Sequence, residues 1–367
     1  MGILSSYLGV NQRLYTVILI VPTGIGAAIG GYAGDALPVA RAIAQVADRL
    51  ITHPNVLNGA QLYWPLPNAF YVVGYGLDQF AAGTWGLRPV HQNRVGLILD
   101  QGISSDLRLR QLQAADATRA TLGLNLTDYV VTDAPLKVEL RLSASSSSWG
   151  TIENPDSLLR AAKVLIEKAG AKAIAVVARF PDDIDSEALQ SYRHGQGVDP
   201  LAGAEAIISH LVVRTFQIPC AHSPALLPLP LDPHLSPRSA AEELGYTFLP
   251  SVLVGLSRAP QFITQLTNRS QPGDLWADQV DAVVIPATAC GSSAVLSLSH
   301  AGVQIIAVRE NQTQMQVSPE QLGIKAIQVH SYLEALGVLV AYKTGINPAA
   351  LSPALSSCSL FSLDSRG

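Results

Sequence analysis

The sequence predicts an α/β protein with mostly parallel sheets and flanking helices, arranged in two or more Rossmann-like layers. Two observations predict this fold: apolar runs without polar alternation, such as Ala173–Ala178 and Ala282–Pro286, and helical stretches between them. Such runs are typical of parallel strands that helices cover on both faces, and the alternation of strand and helix is typical of α/β proteins. Because 367 residues exceed what one hydrophobic core usually reaches, more than one sheet is expected.

The strands are predicted from β-rich apolar runs. In chain order they are Tyr15–Val21, Val95–Leu99, Tyr129–Thr132, Ala173–Ala178, Ala282–Pro286, Val303–Val308 and Ala326–Val329. Helices are predicted at Leu37–Leu50, Asn154–Ala169 and Pro200–Val213. Each has a proline near its first turn or a capping residue before it, and Gly170 stands where a left-handed residue often ends a helix.

A serine run and a proline-rich stretch suggest where the chain divides. The predicted divisions are an N-terminal tail at 1–14, a glycine-loop α/β domain at 15–150, a second α/β region at 151–345 with a proline-rich loop at 223–238, and a flexible C-terminal tail at 346–367.

Composition limits the possible partners. A net charge of −4 leaves no basic surplus for nucleic acid, and three cysteines favour a reducing, cytoplasmic location without a disulfide framework. The apolar run near residue 16 is far shorter than the roughly 20 residues needed to span a membrane. Low charge suits a homo-oligomer. No metal site is predicted, and no cofactor is identified, since CxxC, HExxH and P-loop patterns are absent.

A glycine-rich loop directly follows the first predicted strand. Its backbone N–H groups could approach an anion, or its glycines could serve a structural turn; the spacing fits a dinucleotide fingerprint poorly. Asp35 follows the loop as a candidate acid or base. The candidate ligand-binding residues here are Thr23, Gly24, Gly26, Gly30 and Gly31.

A second candidate site lies where the strand Ala282–Pro286 meets the next helix. Small residues and hydroxyls at a helix start suit a phosphate or carboxylate, although small residues also allow a tight strand–helix connection. The arrangement resembles the C-terminal ligand motif of nucleotide-sugar epimerases and glycosyltransferases, except that Ser297 replaces their acidic residue. The candidate residues are Thr288, Cys290, Gly291, Ser292, Ser293 and Arg309 for binding and Glu310 for catalysis.

A third candidate group combines acids, a thiol and an imidazole. Asp199 and Glu205 are possible acid–base groups, although a helix cap and the helix dipole also explain them. Cys220 and His222 share one face of a strand, as an activated nucleophile or half a metal site would require. His210 is interpreted as a core histidine. Cys220 and Cys290 together faintly resemble the two thiols of aspartate and glutamate racemases, in reversed order.

Polar residues near the predicted end of another strand could face the first glycine loop. His53 is a candidate catalytic group, and Asn55 and Asn58 could recognise a ligand. Local turn capping is the alternative explanation for these residues.

Three strings resemble an uncharacterised domain-of-unknown-function family of cyanobacteria and plant plastids. They are VPTGIGAAIGGYAGD from residue 21, THPNVLNGA from residue 52 and HGQGVDPLAGAEA from residue 194. The resemblance implies a soluble protein of a photosynthetic cell and names no activity.

These observations favour an enzyme of small-molecule metabolism. Its substrate is expected to be a small anion, either phosphorylated, nucleotide-linked or carboxylated, and its reaction a transfer, epimerisation or isomerisation. The alternatives are a non-catalytic binding or assembly factor and a two-thiol racemase-like enzyme.

Overall fold

A computed structural model describes residues 13–58, 60–143, 147–182, 186–264 and 271–359. Residues 1–12 of the expected N-terminal tail and 360–367 of the expected C-terminal tail lie outside these ranges. The strands are β1 Thr16–Leu19, β2 Arg49–Thr52, β3 Ala69–Tyr71, β4 Gly86–Arg88, β5 Val95–Leu99, β6 Leu126–Val131, β7 Val138–Leu142, β8 Ser148–Ile152, β9 Ala173–Arg179, β10 Cys220–Ala225, β11 Gln261–Ile263, β12 Ala282–Pro286, β13 Gln304–Val308 and β14 Ala326–Val329.

Twelve α-helices lie between or after these strands in the described residues. They are α1 Leu37–Val46, α2 Pro54–Leu57, α3 Ala60–Tyr63, α4 Gly74–Ala81, α5 Ser105–Leu122, α6 Pro155–Ala169, α7 Glu187–Arg193, α8 Ala202–Phe216, α9 Ala240–Glu243, α10 Leu249–Ser257, α11 Ser293–His300 and α12 Tyr332–Lys343. Short 3-10 turns lie at Ala277–Gln279, Glu320–Leu322 and Pro348–Leu351.

Two parallel sheets form the centre of the molecule. The first has the order β14-β13-β12-β1-β2-β3, and the second has the order β10-β9-β5-β6. Antiparallel pairs β4/β11 and β7/β8 complete the strands. The α/β prediction with mostly parallel, helix-flanked sheets is therefore confirmed.

Strand order reverses once in each sheet. The chain runs outward from β1 to β3 and later from β12 to β14, so β1 and β12 pair at the centre, with Val17 opposite Ala282. The second sheet reverses between β5 and β9. A crevice opens where neighbouring strands send their connections to opposite sides, and ligands of such sheets bind there.

The two sheets share their hydrophobic core. Ile18 of the first sheet and Val176 of the second belong to one buried cluster, and Val17 and Val177 belong to another. A division at residue 150 cuts across both sheets, because each sheet takes strands from both sides of it. Local composition does not reveal that the chain leaves a sheet and later returns to it.

The predicted helices occur, with shifted ends. The stretch Leu37–Leu50 is helical only as far as Val46, because the Asp48 carboxylate accepts the Tyr15 N–H at 2.8 Å and Arg49 then begins β2. Helix α6 has Asn154 at its N-cap and ends at Gly170, whose φ is 66°. Helix α8 begins two residues later than expected and extends to Phe216.

Candidate functional site

A cavity of about 630 Å³ lies at the carboxyl ends of the first sheet, where helix α8 and strand β10 also contribute to its wall. Ile20 follows β1, His53 follows β2, Val73 follows β3 and Ser292 follows the loop after β12. The cavity therefore includes the β1/β12 reversal point, and its volume is that of a small-molecule site.

Several residues that the sequence singles out meet in this cavity. They come from the glycine loop, the segment after β2, helix α8 and its approach, strand β10 and the start of α11: Thr23, His53, Asn55, Asn58, Asp199, Glu205, His222 and Ser292. Four of them are ionisable, and they come from segments far apart in the sequence.

The other candidates do not line the cavity. They are Gly24, Gly26, Gly30, Gly31, Asp35, Cys220, Thr288, Cys290, Gly291, Ser293, Arg309 and Glu310. The contacts of most of them explain their residue type in structural terms.

The glycine loop uses its glycines for close packing against the rest of the chain. A Cβ on Gly24, which has a φ of 70°, would lie 2.5 Å from the Ser148 hydroxyl oxygen. A Cβ on Gly26, with a φ of 63°, would lie 2.9 Å from the Gly197 carbonyl oxygen. Residues with side chains rarely adopt these φ angles, so glycine at both positions lets the loop pack closely against Ser148 and Gly197. The Gly30 carbonyl accepts a hydrogen bond from the Asn55 amide, and the Gly31 carbonyl oxygen lies 3.4 Å from the Tyr192 hydroxyl.

Asp35 fastens the end of this loop. Its carboxylate accepts the Gly30 N–H at 2.5 Å and a bond from Arg238 at 3.0 Å. Burial raises the pKa of Asp35 to about 6, although both bonds oppose the shift. Asp35 therefore ties the loop to Arg238 of the proline-rich segment.

Hydrogen bonds join the turn after β12 to the segment that follows β13. The Thr288 and Thr313 hydroxyls lie 2.9 Å apart, and the Cys290 N–H donates to Val317. Burial raises the pKa of the Cys290 thiol to about 11, so the thiol is neutral at physiological pH. The Ser292 hydroxyl accepts the Val295 N–H at the start of α11.

Arg309 and Glu310 lie after β13, on the exposed surface. Glu310 accepts the Tyr332 N–H at 3.3 Å. The neighbouring Asn311 is fully buried and bonds both backbone groups of Ile29, so it anchors the glycine loop to the end of the first sheet.

Strand β10 and helix α8 bring an imidazole and a carboxylate together. The His222 Nε2 lies 3.4 Å from a Glu205 carboxylate oxygen, and the His222 Nδ1 lies 3.3 Å from the Ser209 hydroxyl. Glu205 and Ser209 are four residues apart on α8 and therefore share one helix face. Cys220, two residues before His222, is fully buried, and burial raises the pKa of its thiol.

Two further carboxyl groups lie beside this pair. The Glu242 carboxylate accepts the Tyr192 hydroxyl at 2.6 Å and the Ala33 N–H at 2.8 Å, and burial raises the pKa of Glu242 to about 7. Burial, with repulsion from Glu242 and Glu205, raises the pKa of Asp199 well above its usual range. Burial and mutual repulsion therefore disfavour the simultaneous ionisation of Asp199 and Glu242.

His53 is fixed in a neutral form. Its Nε2 accepts the Val21 N–H at 3.0 Å, and burial lowers the pKa of the ring to about 4. A neutral ring that accepts at Nε2 carries its proton on Nδ1. This donor has no hydrogen-bond partner among the described residues, which leaves it for a ligand.

Sequence reasoning missed several residues of the cavity wall. Glu242 and Tyr192 carry no motif, and His210 lines the cavity although the sequence suggested a core histidine. Arg110 and Gln111 lie on α5, which is not among the predicted helices. Its stretch LRLRQLQ alternates polar and apolar residues, a pattern more typical of a strand. Among the described residues, no three His, Cys, Asp or Glu side chains are grouped to hold a metal ion.

Comparisons with known proteins give a family without an assigned activity. A family model described as "Protein of unknown function (DUF3326)" matches residues 16–352. The chain is 61% identical over 341 residues to a protein of the cyanobacterium Synechococcus sp., across 93% of this chain and 94% of that protein, whose printed name is "Uncharacterized lipoprotein". No solved structure matches the chain. None of the helices in the described ranges combines the length and apolar character that crossing a bilayer requires.

Proposed function

The chain belongs to the DUF3326 family, in line with its resemblance to a family of unknown function found in cyanobacteria, and from the cavity we propose that it is an enzyme of small-molecule metabolism. The proposed reaction is an isomerisation or epimerisation, in which a proton moves on a substrate that carries a carboxylate or phosphate. Proton transfer uses the groups that line the cavity, and it requires no second substrate.

The observation that carries this proposal is the convergence of His53, Asp199, Glu205 and His222 on one cavity. Enclosed ionisable groups with displaced pKa values are typical of active sites, because acid–base catalysis needs both proton donors and proton acceptors near neutral pH. Here Glu242 and Asp199 hold protons that ordinary carboxyl groups would have lost, and His53 stays neutral.

The chemistry can be written with these groups. Glu205, oriented by His222, removes a proton from a carbon next to the substrate's carbonyl or carboxylate group. The electron pair of the broken C–H bond moves to the substrate oxygen, which the Nδ1–H of His53 stabilises. The electron pair then returns from oxygen to carbon while the protonated Glu205 gives its proton back, to the neighbouring carbon in an isomerisation or to the other face of the same carbon in an epimerisation. Glu205 is then again a carboxylate, so the reaction is redox-neutral and balanced.

An anionic group of the substrate has one natural partner in the wall. Arg110 lines the cavity, is exposed, and makes no ion pair or hydrogen bond within the described ranges. An unpaired guanidinium at a cavity edge suits a carboxylate or phosphate. The glycine loop contributes Thr23 to the same wall.

The two-thiol alternative has less support, because neither Cys220 nor Cys290 lines the cavity and burial raises the pKa of both thiols. The alternative of a non-catalytic binding factor becomes an outcome of the experiment below.

Hydrogen exchange at carbon tests the proposal directly. Protein is incubated in D₂O with a panel of carboxylates, amino acids and sugar phosphates, and loss of the C–H signal is followed by proton NMR. We expect enzyme-dependent exchange in at least one compound, and much slower exchange with Glu205→Gln. A ligand that binds in the cavity while no compound exchanges would favour the binding factor.

A cytoplasmic location and a homo-oligomeric state also stand as proposals. All three cysteines are free, as a reducing compartment would keep them. The name of the Synechococcus relative suggests attachment to lipid instead, and detergent partitioning of the native protein separates the two. Light scattering measures the oligomeric state.

A further inference from the structure

The cavity wall carries five carboxyl groups but only two guanidinium groups. Its charged and titratable groups are His53, Asp78, Arg110, Tyr192, Arg193, Asp199, Glu205, His210, His222, Glu242 and Glu243. Arg193 is already neutralised, because its Nη2 lies 2.8 Å from a Glu243 carboxylate oxygen. Burial lowers the pKa of both His53 and His210, so neither ring offers a positive charge at neutral pH.

The four remaining carboxyl groups outnumber the cationic and imidazole groups available to pair with them. Asp78, Asp199, Glu205 and Glu242 face one exposed Arg110 and the His222 ring. Uncompensated carboxylates in an enclosed site are costly, and burial raises the pKa of Asp199 and Glu242, which favours their protonated forms in the free protein. A cationic ligand group would replace those protons.

A second observation, independent of the acids, points to a ligand in this cavity. Gln111 lines the wall with only 9% of its surface exposed, and its side-chain amide has no hydrogen-bond partner among the described residues. The amide atoms are not among the buried unbonded side-chain atoms of the described residues, so they open onto the cavity, where a ligand can bond them. Gln111 is next to Arg110 on α5.

Different elements carry the acidic and the basic parts of the wall. Asp199 precedes α8 and Glu242 lies on α9, whereas Arg110 and Gln111 lie on α5. We propose that the substrate is zwitterionic, with an ammonium group at Asp199 and Glu242 and a carboxylate or phosphate at Arg110 and Gln111. This inference rests on the proposed function in that it assigns a substrate class to the same cavity.

Matched probes test it by calorimetry. The probes are the ω-amino acids from glycine to 6-aminohexanoate, each with the alkylamine and the alkyl carboxylate of equal chain length. At least one amino acid should bind tenfold or more tightly than either of its halves. Its affinity should rise between pH 6 and pH 8, with release of protons, which titrations in buffers of different ionisation enthalpy measure.

Three variants assign the two ends. Asp199→Asn and Glu242→Gln should each weaken amine-containing probes at least tenfold and leave carboxylate-only probes within twofold. Arg110→Gln should weaken the binding of carboxylate-containing probes at least tenfold and leave the alkylamines within twofold. Glu153→Gln, an exposed acid bonded to Lys137 outside the cavity, is the matched control and should change neither.

Contrary outcomes are distinct. The zwitterion is wrong if the carboxylate alone binds as tightly as the amino acid, if amine affinity falls as pH rises, or if no probe binds at about 10 mM. Binding of the amino acids without carbon exchange would keep this inference and remove the proposed function. Carbon exchange confined to compounds without an amine would keep the proposed function and remove this inference.

Discussion

The two parallel sheets reverse their strand order at points that look alike in topology and differ in chemistry. Each reversal point carries a cavity, of about 630 Å³ in the first sheet and about 340 Å³ in the second. At the second, Asp100 is fully buried and accepts the N–H groups of Gly102, Leu136 and Arg179 at 2.9 to 3.0 Å. The Arg179 guanidinium there is paired with Asp182.

The polar groups at the first reversal point have fewer or longer hydrogen bonds within the protein than Asp100 has. Glu205 meets its imidazole partner only at 3.4 Å, the His53 Nδ1 has no partner among the described residues, and Glu242 holds a proton up to about pH 7. Topology therefore provides two crevices, and hydrogen bonding decides what each can do. A buried carboxylate such as Asp100, whose oxygens all accept backbone N–H groups, holds chain segments together. A carboxyl group with an oxygen free of such bonds can instead exchange a proton with a ligand.

Asp100→Ala should give the largest effect on stability. The change leaves three N–H groups without an acceptor, one in a buried and two in partly buried positions, and we expect a loss of about 3–5 kcal/mol in the free energy of unfolding. Urea denaturation followed by circular dichroism measures it. Asp100→Asn keeps one acceptor oxygen and should cost less; equal, small losses for both variants would mean that these bonds do not hold the segments together.

Glu205→Gln should give the opposite pattern. Gln is close to Glu in shape, so unfolding should change by less than about 1 kcal/mol, while carbon exchange should slow by about 100-fold through loss of the base. The contrast between the two reversal points would be wrong if Asp100→Asn slowed carbon exchange as much as Glu205→Gln does. The exchange rate is expressed per folded molecule, so that a loss of stability is not counted as a loss of activity.

Sequence patterns predicted the sheets better than they predicted the cavity. A continuous apolar run such as Ala282–Pro286 directly predicts a strand that is buried on both faces, as β12 is. The acidic cluster around Glu242 depends on contacts between distant segments, such as Glu242 with Ala33, and no local pattern encodes them. In the glycine loop, the high density of glycines suggested ligand binding. The structure instead requires glycine at positions 24 and 26, because a Cβ there would collide with neighbouring protein atoms.

Stability should report the proton held by Glu242. Its pKa is about 7 in the folded protein and near 4.5 when unfolded, so the folded state binds this proton more tightly. That contribution is fully present below pH 4.5 and is lost as the pH rises through 7; Asp35, with its pKa raised to about 6, acts in the same direction.

Between pH 6 and pH 8 the wild-type protein should therefore lose about 1 kcal/mol from Glu242, or a few degrees in Tm. Glu242→Gln should flatten this slope in differential scanning calorimetry. Glu139→Gln, an exposed acid on β7 with a lowered pKa, is the control and should keep it. An unchanged slope in Glu242→Gln would place the proton on another group.

Ser292 carries the smallest of these effects, and it decides whether the start of α11 belongs to the structure or to the ligand. Its hydroxyl accepts the Val295 N–H, so Ser292→Ala should cost about 0.5–1 kcal/mol through loss of the cap. Ser292→Asp restores a capping acceptor and should recover that stability. If Ser292 also binds the anionic group of a substrate, the aspartate variant will be stable yet bind carboxylate probes more weakly than the alanine variant. Equal affinity in both variants would leave Ser292 as a helix cap at the edge of the cavity.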